Sequence, residues 1–251
     1  MDSLNRRQFT QASLGSLLTF TLLDTLFHCD ALGEEVRPIT AQWLTQLDQL
    51  GRDARAQKLQ QTLWQSQVEE LLAKVPLPDL LELIDFDKLT KNLVLLDNGA
   101  KSLRFSFREV EGVPAQLIYG KQIFALKRGR SVVPHGHNNM ATAFLILKGQ
   151  LQGRHYDRLE DEPKHLIIRP TSDRLYNPGD PSSISDYKDN VHWFQAVSED
   201  AYILNLHVLD VAPERGFSTG RVYCDPKGES LSDERIRAPR LGYKQAHELY
   251  G

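Results

Sequence analysis

From residue 100 onward the chain breaks into short apolar runs, and this pattern constrains the fold more than any other feature. "TAFLILKG", "QLQGRHYDRL", "HLIIRP", "DNVHWFQAVS" and "AYILNLHVLDV" follow one another, separated by Gly, Pro, Asn and Asp. Runs of this length bounded by turn formers read as strands, and many of them in series predict a sandwich or barrel. "SLRFSFREV" adds an alternation, with Leu103, Phe105 and Phe107 on one face and Arg104, Ser106 and Arg108 on the other. Residues 38–96 carry a different period. Trp43, Leu44, Leu47 and Leu50, then Leu59, Leu63, Trp64, Val68, Leu71 and Leu72, recur at three- and four-residue spacings, which predicts helices. Pro76 and Pro78 end the second helix, and "PDLLELIDFDKLTKNL" begins another. The expected fold class is therefore mainly β, with an α-helical N-terminal segment packed against it.

Composition narrows the function. The net charge is −3, without the basic stripe that nucleic-acid binding requires. Two cysteines, Cys29 and Cys224, cannot build a four-cysteine zinc site or a disulfide framework. Cys224 in "RVYCDP" is expected to be a packed thiol.

The N-terminus reads as a targeting segment. "NRRQFTQASLGSLLTFTLLDTLF" places Arg6-Arg7 before an apolar run from Ala12 to Phe27 that is short for a membrane span and is interrupted by Asp24. It resembles the twin-arginine signal, with Asn5 where Ser or Thr is usual and Thr10 where Leu is usual. The resemblance implies an export signal over 1–33, with a plausible cleavage site at "ALG", the export machinery as a partner, and a periplasmic or exported protein. The remaining divisions are a helical segment at 38–98, a barrel at 100–225 and a polar tail at 226–251 that wraps the barrel or is loosely held.

The chemistry concentrates in "VVPHGHNNMATAFLILKGQLQGRHYDR", residues 132–158. In a strand, His135 and His137 point to the same face. Such a pair either shares its lone pairs with a metal or is satisfied by nearby polar groups, and spacing alone does not decide.

The surroundings resemble the cupin superfamily, whose first motif is G-x5-H-x-H-x3-4-E-x6-G. Gly129 stands six residues before His135, Gly149 matches the closing turn, and His192 stands where a distant second motif supplies a third histidine. The resemblance implies a double-stranded β-helix, or jelly-roll barrel, with His135, His137 and His192 as metal ligands. The family's glutamate is missing, with Met140, Ala141 and Thr142 in its neighbourhood. A three-histidine cupin resembles the thiol dioxygenases: cysteine dioxygenase, cysteamine dioxygenase and the plant cysteine oxidases. In the last two, His135, His137, Met140, Leu147, Gly149, Tyr156 and Asp157 match the first motif without a gap. Asn190, His192, Phe194 and Ala196 match the second. Asn138 and Asn139 replace the usual Pro-Gly.

The resemblance implies Fe(II) as cofactor, a small thiol or N-terminal cysteine and O2 as substrates, and a sulfinate as product. His207 and Asn205 in "ILNLHVL" are candidates to stand behind or beside the metal ligands. Asp186, Asp189 and Asn190 are candidates to orient His192, and His155 to line the pocket. Arg104, Arg108, Arg128, Arg130 and Arg154 are candidates to hold a substrate carboxylate. Two other readings stay open: a metal cupin of another class, such as a lyase, an isomerase or a different dioxygenase, and a non-catalytic ligand-binding cupin.

Overall fold

The structure is a computed structural model, and it describes residues 36–114, 116–216 and 218–251. The export-signal reading at 1–33 lies outside these residues.

Four helices come first: α1 (Val36–Arg55), α2 (Gln61–Lys74), α3 (Leu77–Leu83) and α4 (Phe86–Thr90). Twelve strands follow: β1 (Lys101–Leu103), β2 (Gly120–Lys127), β3 (Ser131–Asn138), β4 (Met140–Lys148), β5 (Leu151–Asp161), β6 (His165–Tyr176), β7 (Pro181–Ile184), β8 (Val191–Ala196), β9 (Asp200–Leu209), β10 (Gly220–Cys224), β11 (Glu229–Ser230) and β12 (Ile236–Leu241). A last helix, α5 (Tyr243–Tyr250), closes the chain. No helix among the described residues is long and apolar enough to cross a membrane.

The strands form two antiparallel sheets. One has the order β1-β2-β9-β4-β7 and the other β10-β3-β8-β5-β6-β12-β11. An additional β10–β12 pairing closes six strands of the larger sheet into a ring.

The strand β4 shows why its sequence is an unbroken apolar run. Ala141, Ala143, Leu145 and Leu147 face the helices, in one cluster with Trp43, Leu47, Trp64, Val68 and Leu72. Phe144 and Ile146 face the opposite sheet, in a cluster with Phe194, Tyr176 and Ile203. A strand covered on both faces needs no alternation. Gly149, just after β4, adopts φ 75°, and a Cβ there would lie 2.1 Å from the Asp200 carbonyl, so the turn requires glycine.

A polar seam ties the helices to the barrel. Gln61 accepts from the Asp186 backbone N–H (2.9 Å), the Ser185 hydroxyl donates to Gln65 (2.7 Å), and Gln65 donates to the Ser183 carbonyl (3.1 Å). These buried bonds fix the loop between β7 and β8, which leads directly into His192.

Two expectations need correction. "SLRFSFREV" is a strand only at Lys101–Leu103. Beyond it, Phe105 and Phe107 pack edge to face at 5.2 Å, and Phe107 meets Trp43 at 6.4 Å. The alternation there marks an extended segment buried under the helices without a ladder partner. The barrel also continues past residue 225: the stretch read as a tail supplies β11, β12 and α5.

Candidate metal centre

Three buried histidines converge between the sheets. His135 and His137 come from β3 and His192 from β8, where His135 and His192 are direct cross-strand partners. Their exposures are 5%, 3% and 1%. Ring centroids stand 4.2 Å apart for His135–His192, 5.0 Å for His135–His137 and 5.1 Å for His137–His192. One ring nitrogen from each lies within 4.8 Å of the others, the one cluster of this kind among the described residues.

Each ring is held by its far nitrogen. Nδ1 of His135 donates to the Val133 carbonyl (2.8 Å), and Nδ1 of His192 faces the Asn190 carbonyl (3.5 Å). A carbonyl only accepts, so the proton sits on Nδ1 and the Nε2 lone pair is free. Nδ1 of His137 lies 3.0 Å from the Thr142 hydroxyl. The only sequence signal for Thr142 as this partner is its place in the neighbourhood of the missing glutamate.

Burial dominates the electrostatics. It holds His135 down to about 3, with the Arg221 charge adding to the effect, and it holds His137 and His192 well below the ordinary histidine range, with repulsion from neighbouring rings adding to the effect. All three are neutral near pH 7, the state a metal requires of imidazole. The residues fit a metal ion on a further count: Nε2 of His137 is buried without a hydrogen-bond partner. An orphaned buried acceptor costs stability unless something fills it.

The surrounding candidates divide. Asn205 and His207 on β9 lie opposite Phe144 and Thr142, on the interior face. Asn205 donates to Nδ1 of His207 (3.3 Å), and the His207 ring lies across Gly120, where a Cβ would sit 2.1 Å from Nε2. His207 is half-buried.

Asn190 orients two of the histidine segments, through its carbonyl to His192 and through its side-chain amide to the His137 carbonyl (2.9 Å). Asp186 instead accepts from the Asn139 N–H (2.9 Å) and from Gln61 (3.3 Å). Asp189 accepts from Thr171, its N–H donating to Asp157.

His155 is the partner of His192 on β5, which makes a row of three imidazoles across β3, β8 and β5. Its Nε2 is 3.3 Å from the Ser182 hydroxyl, so it stands behind the cluster, not in it. Cys224 is fully buried and its thiol is pushed up to about 12 by desolvation, as a packed residue should be.

None of the five arginines singled out from the sequence is bonded to the histidine cluster. Arg108 pairs with Glu82 (3.1 Å), Arg128 with Glu199 (3.5 Å) and Arg154 with Asp173 (3.2 Å). Arg130 donates to the Gly251 carbonyl (3.2 Å), and Arg104 is exposed.

No protein-family model matches the sequence, and no curated protein is similar to it. Solved structures are. Procruciferin, an 11S globulin from Brassica napus, aligns with 42% of this chain and 22% of its own, at 11% identity and a TM-score of 0.31. Oxalate oxidase in complex with glycolate aligns with 51% of this chain and 56% of its own, at 18% identity and 0.35. A protein with a double-stranded β-helix domain from Klebsiella pneumoniae aligns with 53% of this chain and 85% of its own, at 9% identity and 0.34. The chain spans about a fifth of the globulin and just over half of the oxalate oxidase.

Proposed function

We propose that the protein is an iron(II)-dependent dioxygenase that adds both atoms of O2 to the sulfur of a small thiol or N-terminal cysteine. The observation that carries this reading is the convergence of three buried, neutral histidines with no carboxylate among them. His135, His137 and His192 would hold the ion through Nε2, and three neutral ligands leave its double positive charge uncompensated. A soft anionic thiolate from the substrate suits that imbalance. Bound iron(II) would supply the redox chemistry that zinc lacks, with RSH and O2 giving RSO2H.

The protein's own contribution is positional. The carbonyls of Val133 and Asn190 and the Thr142 hydroxyl hold the three rings. His207 and Asn205 offer polar groups on the interior face of β9, and the helices and facing sheets keep bulk water out of the centre. The gap-free match from His135 to Asp157 supports the same reading from sequence.

The test is anaerobic loading with Fe(II), followed by O2 uptake and product mass across cysteine, cysteamine, 3-mercaptopropionate and a Cys-initiated peptide. One of them should gain two oxygen atoms. Bound iron without turnover of any would sink the thiol reading and leave a metal cupin of another class. The twin-arginine resemblance supports export of the folded protein. Arg6→Lys with Arg7→Lys should then retain it in the cytoplasm; an unchanged location on cell fractionation would refute export by this route.

A further inference from the structure

A cavity lies on the outer face of the larger sheet, turned away from the histidines. Side chains alternate along β8 and β5, so His192 and His155 point inward while their neighbours Trp193 and Arg154, themselves cross-strand partners, point outward. With Asp173 from β6, Lys227 from the turn between β10 and β11, and Tyr250 from α5, they line a space of about 480 Å³. The Arg154 guanidinium stacks 4.4 Å from the centroid of the Trp193 ring, and Tyr250 meets the same ring edge to face at 5.0 Å. Lys227 is exposed, with Nζ 5.5 Å from the Tyr250 centroid and 5.9 Å from that of Trp193. Among the described residues it has no carboxylate partner.

Hydrogen-bonding capacity in this cavity is lopsided. Asp173 accepts from Gln152 and from Nε of Arg154 (3.2 Å), the Gly129 carbonyl from Gln195 (3.3 Å), and the Gly251 carbonyl from Arg130 (3.2 Å). These acceptors are met from within, and the donors are not. Nη1 of Arg154 and Nε1 of Trp193 are buried without a partner, in a tryptophan only 8% exposed. An unpaired buried N–H is a standing cost that an acceptor from outside removes. Among the lining side chains, two cations face one carboxylate.

We propose that this cavity binds a small oxyanion, a phosphate or carboxylate group, through Lys227, Nη1 of Arg154 and Nε1 of Trp193. An oxyanion brings acceptors and negative charge, the two things the cavity lacks, and guanidinium and ammonium donors suit it. The buried N–H groups are reached as the flexible Lys227 stem draws away from the Trp193 ring. A cation or an apolar molecule would leave the same donors unpaired. The site faces away from the histidine cluster, and the inference stands independently of the thiol reading.

The experiment is calorimetric titration of the full chain with sodium phosphate and with sodium acetate, at an ionic strength held constant with chloride. At least one should bind at a single site; phosphate alone marks a tetrahedral ligand and acetate alone a planar one. Lys227→Gln, at an exposed position that leaves the sheet untouched, should weaken the binding by about tenfold or more, as should Arg154→Gln. Lys227→Arg should recover most of the loss. Trp193→Phe, which keeps a ring and deletes Nε1–H, should weaken it by about two- to tenfold. Binding of neither anion by the parent protein, or binding that Lys227→Gln leaves unchanged, overturns the inference.

Discussion

His192→Ala should cost the protein its metal. His192 sits between His135 and His155 in the cross-strand row and is 1% exposed, so no solvent ligand or neighbouring side chain can replace it without rearrangement. The expected loss in affinity exceeds about 100-fold, the upper end of what removing an outer hydrogen-bond partner costs. Thr142→Val offers the graded comparison. It deletes the hydroxyl beside Nδ1 of His137 at nearly constant volume, and a loss of about 10–100-fold is expected. His155→Gln should retain the metal, because its Nε2 is turned to Ser182. Elemental analysis after dialysis and competition with a chelator measure all three. Undiminished metal in His192→Ala, with the fold verified by circular dichroism, would refute the ligand set.

The metal-free protein should unfold on mild acidification. His135 and His155 are held at about 3 and about 4, and His137 and His192 well below their ordinary value, chiefly by burial. In the unfolded chain each titrates near 6.5. Between those limits the unfolded state binds protons that the folded state refuses. The stability is therefore fully present above about pH 6.5 and is lost as pH falls toward the folded values. Each such histidine contributes at most about 1.4 kcal/mol per pH unit, so the four together contribute at most ~5.6 kcal/mol per unit. A domain of ordinary stability, about 5–15 kcal/mol, is exhausted within one to three units. Thermal melts of apoprotein should fall steeply between pH 6 and 4, and bound metal should move the fall to lower pH. A flat melting temperature across that interval would contradict neutral burial of the rings.

The convergence of His135, His137 and His192 was legible because strand alternation and a long gap-free motif both work on local spacing. What the sequence hid depends on pairings between distant strands. Arg221 lies opposite His137 only through the β10–β3 register. Thr142 reaches His137 across the turn at Asn139, a residue with φ 53° that no spacing rule anticipates. The alternation of Phe105 and Phe107 misled in the opposite sense. It reports burial on one side of an extended chain, and burial does not require a ladder partner. The final strands were missed because "GESLSDERIRAPRLGYKQAHELYG" is polar; β11 is exposed and β12 is only partly buried, so neither needs an apolar run.

The seam between β10 and β12 also sets an order of events during synthesis. All three histidines have left the ribosome once residue 192 has emerged, yet β3 lacks one neighbour until β10 arrives, and the ring stays open until β12 follows. Pairing across such sequence separations is slow compared with local hairpins. A chain lacking β10 and β12 would therefore leave β3, which carries His135 and His137, with an unpaired edge and the ring of strands open.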